Sequence, residues 1–171
     1  ATLLVQALNA RGIRAVMVGT GQTTLIQGGK YGGALDALVP QFCSGEVEHQ
    51  VVAASEGEDP DVIVVEGQGA LSHPAYITSA HILRGSRPAG VIVQHAPKRK
   101  VLGDFPMVPM PTAASEIALI EAFADTRVIG AVSYTHLRAH ETSLHLVCRL
   151  LLEKSRQYTY REVREADARS G

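Results

Sequence analysis

The chain has 171 residues, 46% hydrophobic and 19% charged, which is the make-up of one globular domain with a core and excludes a disordered segment. Its formal net charge of −1 gives no basic footprint for nucleic acid. Cys43 and Cys148 show no metal or redox spacing, so a cytoplasmic setting is expected, and the apolar runs are too short to span a bilayer.

In chain order, 2–12 reads as a helix closed by Gly12, with no N-terminal cap of its own. A natural chain rarely opens in mid-helix, so an upstream segment is expected. Ile13 to Val18 reads as a strand. It runs into Gly19-Thr20-Gly21-Gln22-Thr23-Thr24, a polar loop whose hydroxyls and backbone N–H groups suit an anion, or which is an ordinary turn. Gly28 to Gly33 fails the Walker A pattern, because Thr24 stands where the first Gly should be and Tyr31 where the Ser/Thr should be. It is expected as a mobile surface loop. Ala34 to Leu38 reads as a helical turn ended by Pro40, and Ser44 to Ala54 as an amphipathic helix with Ser44 as N-cap.

Val62-Ile63-Val64-Val65 is four β-branched residues in a row, the pattern of a strand buried on both faces in a parallel sheet. It ends in Glu66-Gly67-Gln68-Gly69. Ligands of open α/β sheets sit at the carboxyl ends of the strands, so Glu66 lies where a metal-bound phosphate or polar substrate would, and the glycines allow close backbone approach. After His73-Pro74, Ala75 to Leu83 reads as a helix. Val91 to Val93 is a further strand, ending at His95 and followed by Lys98-Arg99-Lys100, either a basic turn or a binding site for an acidic ligand. Phe105 to Pro111 reads as an extended connection, Ala113 to Ala124 as a helix capped by Thr112, and 127–131 as a last strand. Helices alternating with strands predict an α/β fold with a parallel sheet and right-handed crossovers.

The character changes at Val132. Residues 132–154 resemble a translated transposase-type sequencing adapter, with Ser143-Leu144-His145 at its variable index. The segment 132–171 is therefore expected to be a non-native tail, and its helical alternative would be an amphipathic tail helix.

The remaining segment, 1–131, resembles the C-terminal domain of the D-glutamate N-acetyltransferase-like family, long of unknown function. The resemblance rests on Val18 to Thr23, Ala34 to Ala37, Ser44 to Glu48, Val64 to Pro74 with its Glu-Gly-Gln-Gly and His-Pro, and Gln94 to Pro97. It implies a three-layer, P-loop NTPase-like α/β domain truncated at its N-terminus, the Walker A loop lying upstream of Ala1. It further implies an N-terminal Rossmann-like domain of the same chain as partner, and a homo-oligomer with a small-molecule substrate is expected, while the charge and the short apolar runs predict no nucleic acid or membrane partner.

The activity so implied is acetyl transfer from acetyl-CoA to the amino group of an acidic amino acid such as D-glutamate, with this segment inactive alone. Glu66, His73 and His95 are the candidate bases. Thr20, Gly21, Gln22, Thr23, Gly67, Gln68, Gly69, Lys98 and Arg99 are the candidate ligand contacts. The competing expectations are an ATP and Mg²⁺ module of the dethiobiotin synthetase type, in which Glu66 helps to hold the metal, and a non-catalytic scaffold.

Overall fold

A computed structural model of the chain describes residues 1–133 and 147–153. Helix α1 (Thr2–Asn9) leads to strand β1 (Ala15–Gly19), helix α2 (Gln22–Ile26) and the short strand β2 (Tyr31–Gly32). A 3₁₀ turn (Leu35–Ala37) precedes helix α3 (Pro40–Glu58), strand β3 (Val62–Glu66), helix α4 (Thr78–Ser86) and strand β4 (Gly90–His95). A hairpin of β5 (Val101–Leu102) and β6 (Phe105–Pro109), helix α5 (Ala113–Phe123), β7 (Val128–Ser133) and β8 (Val147–Glu153) complete it.

The main sheet has the order β2-β1-β3-β8-β4-β7. Pairs β1–β2, β1–β3 and β4–β7 are parallel, as the helix–strand alternation requires. Val64, Val65, Val91 and Val93 are fully buried between the helices, with Ile82 and Leu83 of α4, Val47 of α3 and Ile120 of α5. The α/β class with a parallel sheet is thus the observed one.

Several elements differ from the sequence expectation. Residues 31–32 are an edge strand, not a surface loop. Tyr31 is buried and donates its hydroxyl to Glu58, and Gln50 accepts from Gly32 N at 2.9 Å. Gly32 itself is held at φ 153°, where a Cβ would meet Gly19 O at 2.6 Å. The second half of the 19–24 loop is helix α2. Pro40 opens α3 at its first turn rather than ending the turn before it, since a helix's first N–H groups have no partner to lose. Ser44 therefore lies one turn inside the helix, where its hydroxyl meets His81 Nδ1 of α4 at 3.1 Å. Helix α4 starts at Thr78 rather than Ala75. The Pro-containing stretch from Phe105 folds back on β5 as a hairpin.

The expected fold ended at Ala131, yet the sheet takes in 147–153 as well. Strand β8 runs antiparallel to both neighbours, with Glu66 and Ile92 each opposite Arg149. Strand β3 is paired to β1 on one edge only and β4 to β7 on one edge only, so both leave a row of backbone groups that burial requires to be bonded. A strand between them meets that need in either direction. It also replaces the tail helix that the apolar spacing allowed.

Helices α3 and α4 cross closely at Gly85, where a Cβ would run into the carbonyl oxygen of Ser44 and the side chain of Val47. On propensity alone Gly85→Ala would stabilise α4 by about 1 kcal/mol. The clash is with backbone, so we expect a net loss of about 1–3 kcal/mol, the range of overpacked cores. Urea unfolding of Gly85→Ala checks this, and an unchanged or raised midpoint would mean that the helices do not cross so closely.

Candidate functional site

The parallel pairing of β1 with β3 brings two loops together at the carboxyl ends of these strands. Thr20, just past β1, is buried, and its hydroxyl donates to Glu66 O at 2.7 Å and to Gln68 Oε1 at 2.9 Å. Gln68 Nε2 returns a bond to Thr20 O at 3.2 Å. The Gln68 amide thus satisfies both polar groups of one residue, and one hydroxyl proton is shared between two acceptors. Ser79 of α4 donates to Gln68 O and Gly69 O at 2.9 and 2.8 Å, which fixes the next turn, where Gly69 has φ 79°.

Beside this lock lies an open cleft of about 340 Å³. It is lined by Ala1, Thr2 and Leu3 at the start of α1, by Gly21, Thr23, Thr24 and Gln27, and by Glu66. Its size is at the low end of ligand pockets, which run from about 300 to 1,000 Å³. Glu66 is half-buried at the last position of β3, and among the described residues no side-chain hydrogen bond holds its carboxylate. The first N–H groups of a helix have no partner within it and carry partial positive charge. The cleft therefore lies between the first turn of α1 and the Glu66 carboxylate.

The candidate bases are not gathered in one place. Glu66 is level with Ile92 across β8, so His95 stands three residues higher on a strand two places away. Strand geometry puts their Cα atoms on the order of 14 Å apart. His73 is buried in a cluster of its own, stacked on Tyr76 at 4.4 Å and edge-on to Phe105 at 5.6 Å. Its Nδ1 accepts from the amides of Ala75 and Tyr76 at 3.2 and 3.3 Å, so its proton sits on Nε2. Tyr76 in turn donates its hydroxyl to Asp104 at 2.8 Å.

Among the ligand-contact candidates, Gly21 and Thr23 line the cleft, while Thr20 and Gln68 hold its wall. Gln22 is exposed at the start of α2, and Gly67 and Gly69 are buried in the loop. Lys98 is exposed and Arg99 half-buried in the turn after β4. Gln27 and the first turn of α1 entered the site without being singled out in the sequence. So did Glu116, a fully buried carboxylate of α5 that caps the loop after β3. Its sequence signal is weak, since α5 carries a second carboxylate, Glu121, that nothing in the sequence distinguishes from it. Among the described residues no group of three His, Cys, Asp or Glu is placed to hold a metal ion, and no helix is long and apolar enough to cross a membrane. Burial, with the Asp36 charge, pushes the Cys43 thiol above its ordinary value.

A largely parallel sheet with a polar cleft between its strand ends and the first turn of a helix defines a P-loop-type α/β domain. Residues 1–166 match the family model described as the P-loop domain of the DUF1611 family, DUF1611_C, and the chain belongs to that family. A protein of Pseudoalteromonas named D-glutamate N-acetyltransferase is 30% identical over 133 residues, covering 74% of this chain and 39% of that protein. A crystal structure of a DUF1611 family protein from Anabaena variabilis matches with a TM-score of 0.71 at 33% identity, over 80% of this chain and 41% of that one. The chain thus spans about two fifths of the length of either relative.

Burial pushes the His73 imidazole below its ordinary 6.5, and the nearby Asp104 charge opposes this more weakly. A histidine whose folded pKa is depressed stabilises the fold above the unfolded pKa and loses that contribution as pH falls through the folded value. We therefore expect stability to fall as pH drops below about 6.5, with a smaller fall in His73→Asn, which keeps an acceptor for the two amides. An NMR titration in which the His73 ring protons show a midpoint at or above 6.5 would contradict the buried placement.

Proposed function

We propose that this chain is the cleft-bearing part of an N-acyltransferase that moves an acetyl group from acetyl-CoA to the amino group of D-glutamate or a similar acidic amino acid. The observation that carries the reading is the Glu66 carboxylate, unbonded among the described residues, in a polar cleft lined by the first turn of α1. The similarity to a relative named for this reaction supports it. The transfer needs a base for the substrate ammonium. The freed amine then attacks the thioester carbon, donors hold the resulting oxyanion, and the carbon–sulfur bond breaks as the CoA thiolate leaves and takes up a proton.

Glu66 is the base in this reading. It opens into the cleft, whereas the Nδ1 lone pair of His73 is spent on two backbone amides. His73 can only donate, from Nε2. Lys98 and Arg99, in the turn after β4, would serve a carboxylate of the substrate or a phosphate of CoA. The rest of a longer chain, with an N-terminal Rossmann-like domain, would supply what a cleft of this size does not enclose, and a homo-oligomer is the expected working form.

A second reading, ATP with Mg²⁺, is favoured by the helix start that lines the cleft. Mg²⁺ is commonly held by one or two carboxylates together with waters and substrate phosphates. Glu66 fits that as the single protein ligand, and the amides of α1 would face a phosphate.

The two readings separate in one experiment. A polypeptide of the relatives' full length carrying this domain is assayed for CoA thiol release with acetyl-CoA and D-glutamate, and for binding of ATP with Mg²⁺. We expect D-glutamate-dependent thiol release, lowered about 10²- to 10⁴-fold in kcat by Glu66→Gln, the usual worth of a general base. Full kcat and an unchanged pH profile in Glu66→Gln would remove Glu66 as base. Tight Mg²⁺-dependent ATP binding without thiol release would replace the first reading by the second.

A further inference from the structure

The least expected charge in the molecule is Glu116. Its side chain is completely buried in the first turn of α5, a position where the helix dipole favours an anion. Among the described residues no cation pairs with it. One oxygen, Oε2, accepts from Leu71 N at 2.9 Å and Ser72 N at 3.4 Å. The other, Oε1, is buried without a partner among the described residues. Burying an unpaired carboxylate is costly, and a neutral side chain at this site would avoid the cost. A carboxylate is nevertheless the stronger acceptor, because charge-assisted hydrogen bonds are roughly twice as strong as neutral ones.

We propose that Glu116 is a positioning residue for the cleft. It clamps the far end of the 67–72 loop, so that Gln68 stays locked on Thr20 and Glu66 stays on the cleft wall. The loop has two anchors. Ser79 of α4 holds its near end through Gln68 O and Gly69 O. Glu116 of α5 holds its far end through the amides of Leu71 and Ser72, which no strand or helix ladder bonds. Gln68, at the near anchor, carries the side chain that bridges to the β1 loop. With the far anchor removed, Leu71 and Ser72 turn to solvent, the turn at Gly69 rests on Ser79 alone, and the hold of the Gln68 amide on Thr20 loosens.

The proposal concerns what holds the cleft's wall and stands whichever ligand the cleft takes. Its test needs no ligand. Amide hydrogen exchange and the side-chain NH₂ resonances of Gln68 are followed by NMR in the full chain, in Glu116→Ala and in the near-isosteric Glu116→Gln. We expect exchange at Leu71 and Ser72 to quicken by about tenfold or more in Glu116→Ala, the scale of a lost hydrogen bond to a charged group. The Gln68 NH₂ pair should move to the position of a solvent-exposed amide, while β1 and β3 amides keep their protection. Glu116→Gln keeps one acceptor and should restore most of the protection and of the Gln68 signature. Unchanged exchange at Leu71 and Ser72, or an unmoved Gln68 signature once they are exposed, would overturn the proposal. Equal loosening of the whole sheet, or failure of both variants to fold, would overturn it too, since Glu116 would then support the core at large.

Discussion

Strand β3 is buried to nothing at Val64 and Val65, and this is possible only because both of its edges are paired. That constraint sets most of what surrounds it. Parallel pairing with β1 aligns the carboxyl ends of the two strands and so puts Thr20 beside Glu66. Antiparallel pairing with β8 fills the other edge and holds β4 two places away. The same strand that completes the sheet therefore separates Glu66 from His95. Two residues that each end a strand, and that look equivalent along the chain, are placed in different surroundings by which edge their strand offers.

The buried polar side chains follow from this as well. Thr20, His73, Ser79 and Glu116 are all buried, and each binds backbone groups of the segments that leave β1 and β3. Loop amides and carbonyls that no strand or helix pairs must be bonded by something if they are to lie inside the protein. Here side chains from α4 and α5, or from within the loops, do so. The cleft wall is thus rigid for reasons of polar satisfaction rather than apolar packing. Thr20, Ser79 and Glu116 act on the loops beside the cleft, whereas His73 serves its own cluster with Tyr76 and Phe105.

The parts of the fold that sequence reveals are those set by local pattern. The β-branched run of β3, the apolar run of β4 and the Thr112 cap of α5, whose hydroxyl accepts from Ser115 N at 3.0 Å, all appear as read. What the sequence hides is decided by partners far along the chain. Strand β2 exists because Tyr31 and Gly32 find Glu58 and Gln50, and no two-residue pattern announces a strand. Ser44 has the chemistry of a cap but meets His81, 37 residues on, while Pro40 suits a helix start as well as a stop. At the site, Glu66 and Thr20 stand out as polar residues at strand ends. The bond between Thr20 and Gln68 spans 48 positions and the reach of Glu116 to Leu71 spans 45, so neither could be seen before the sheet was assembled.

Two carboxylates bracket the same loop, and their surroundings divide the work between them. Glu66 stands at the loop's start with its carboxylate open to the cleft, and among the described residues nothing bonds it. Glu116 reaches the loop's end with no exposed surface and with Oε2 directed at two backbone amides. A group that must take a proton from a substrate has to touch that substrate and keep a lone pair free for it. Glu66 opens to the cleft with no bond to its carboxylate among the described residues, as the proposed base must, whereas Glu116 is sealed from it. A group that must hold a backbone in one shape has to be shielded from water, which would compete for its bonds, and there the positions reverse. Environment can assign different tasks to chemically identical side chains, and solvent access and hydrogen bonding are what distinguish the proposed base from the proposed clamp.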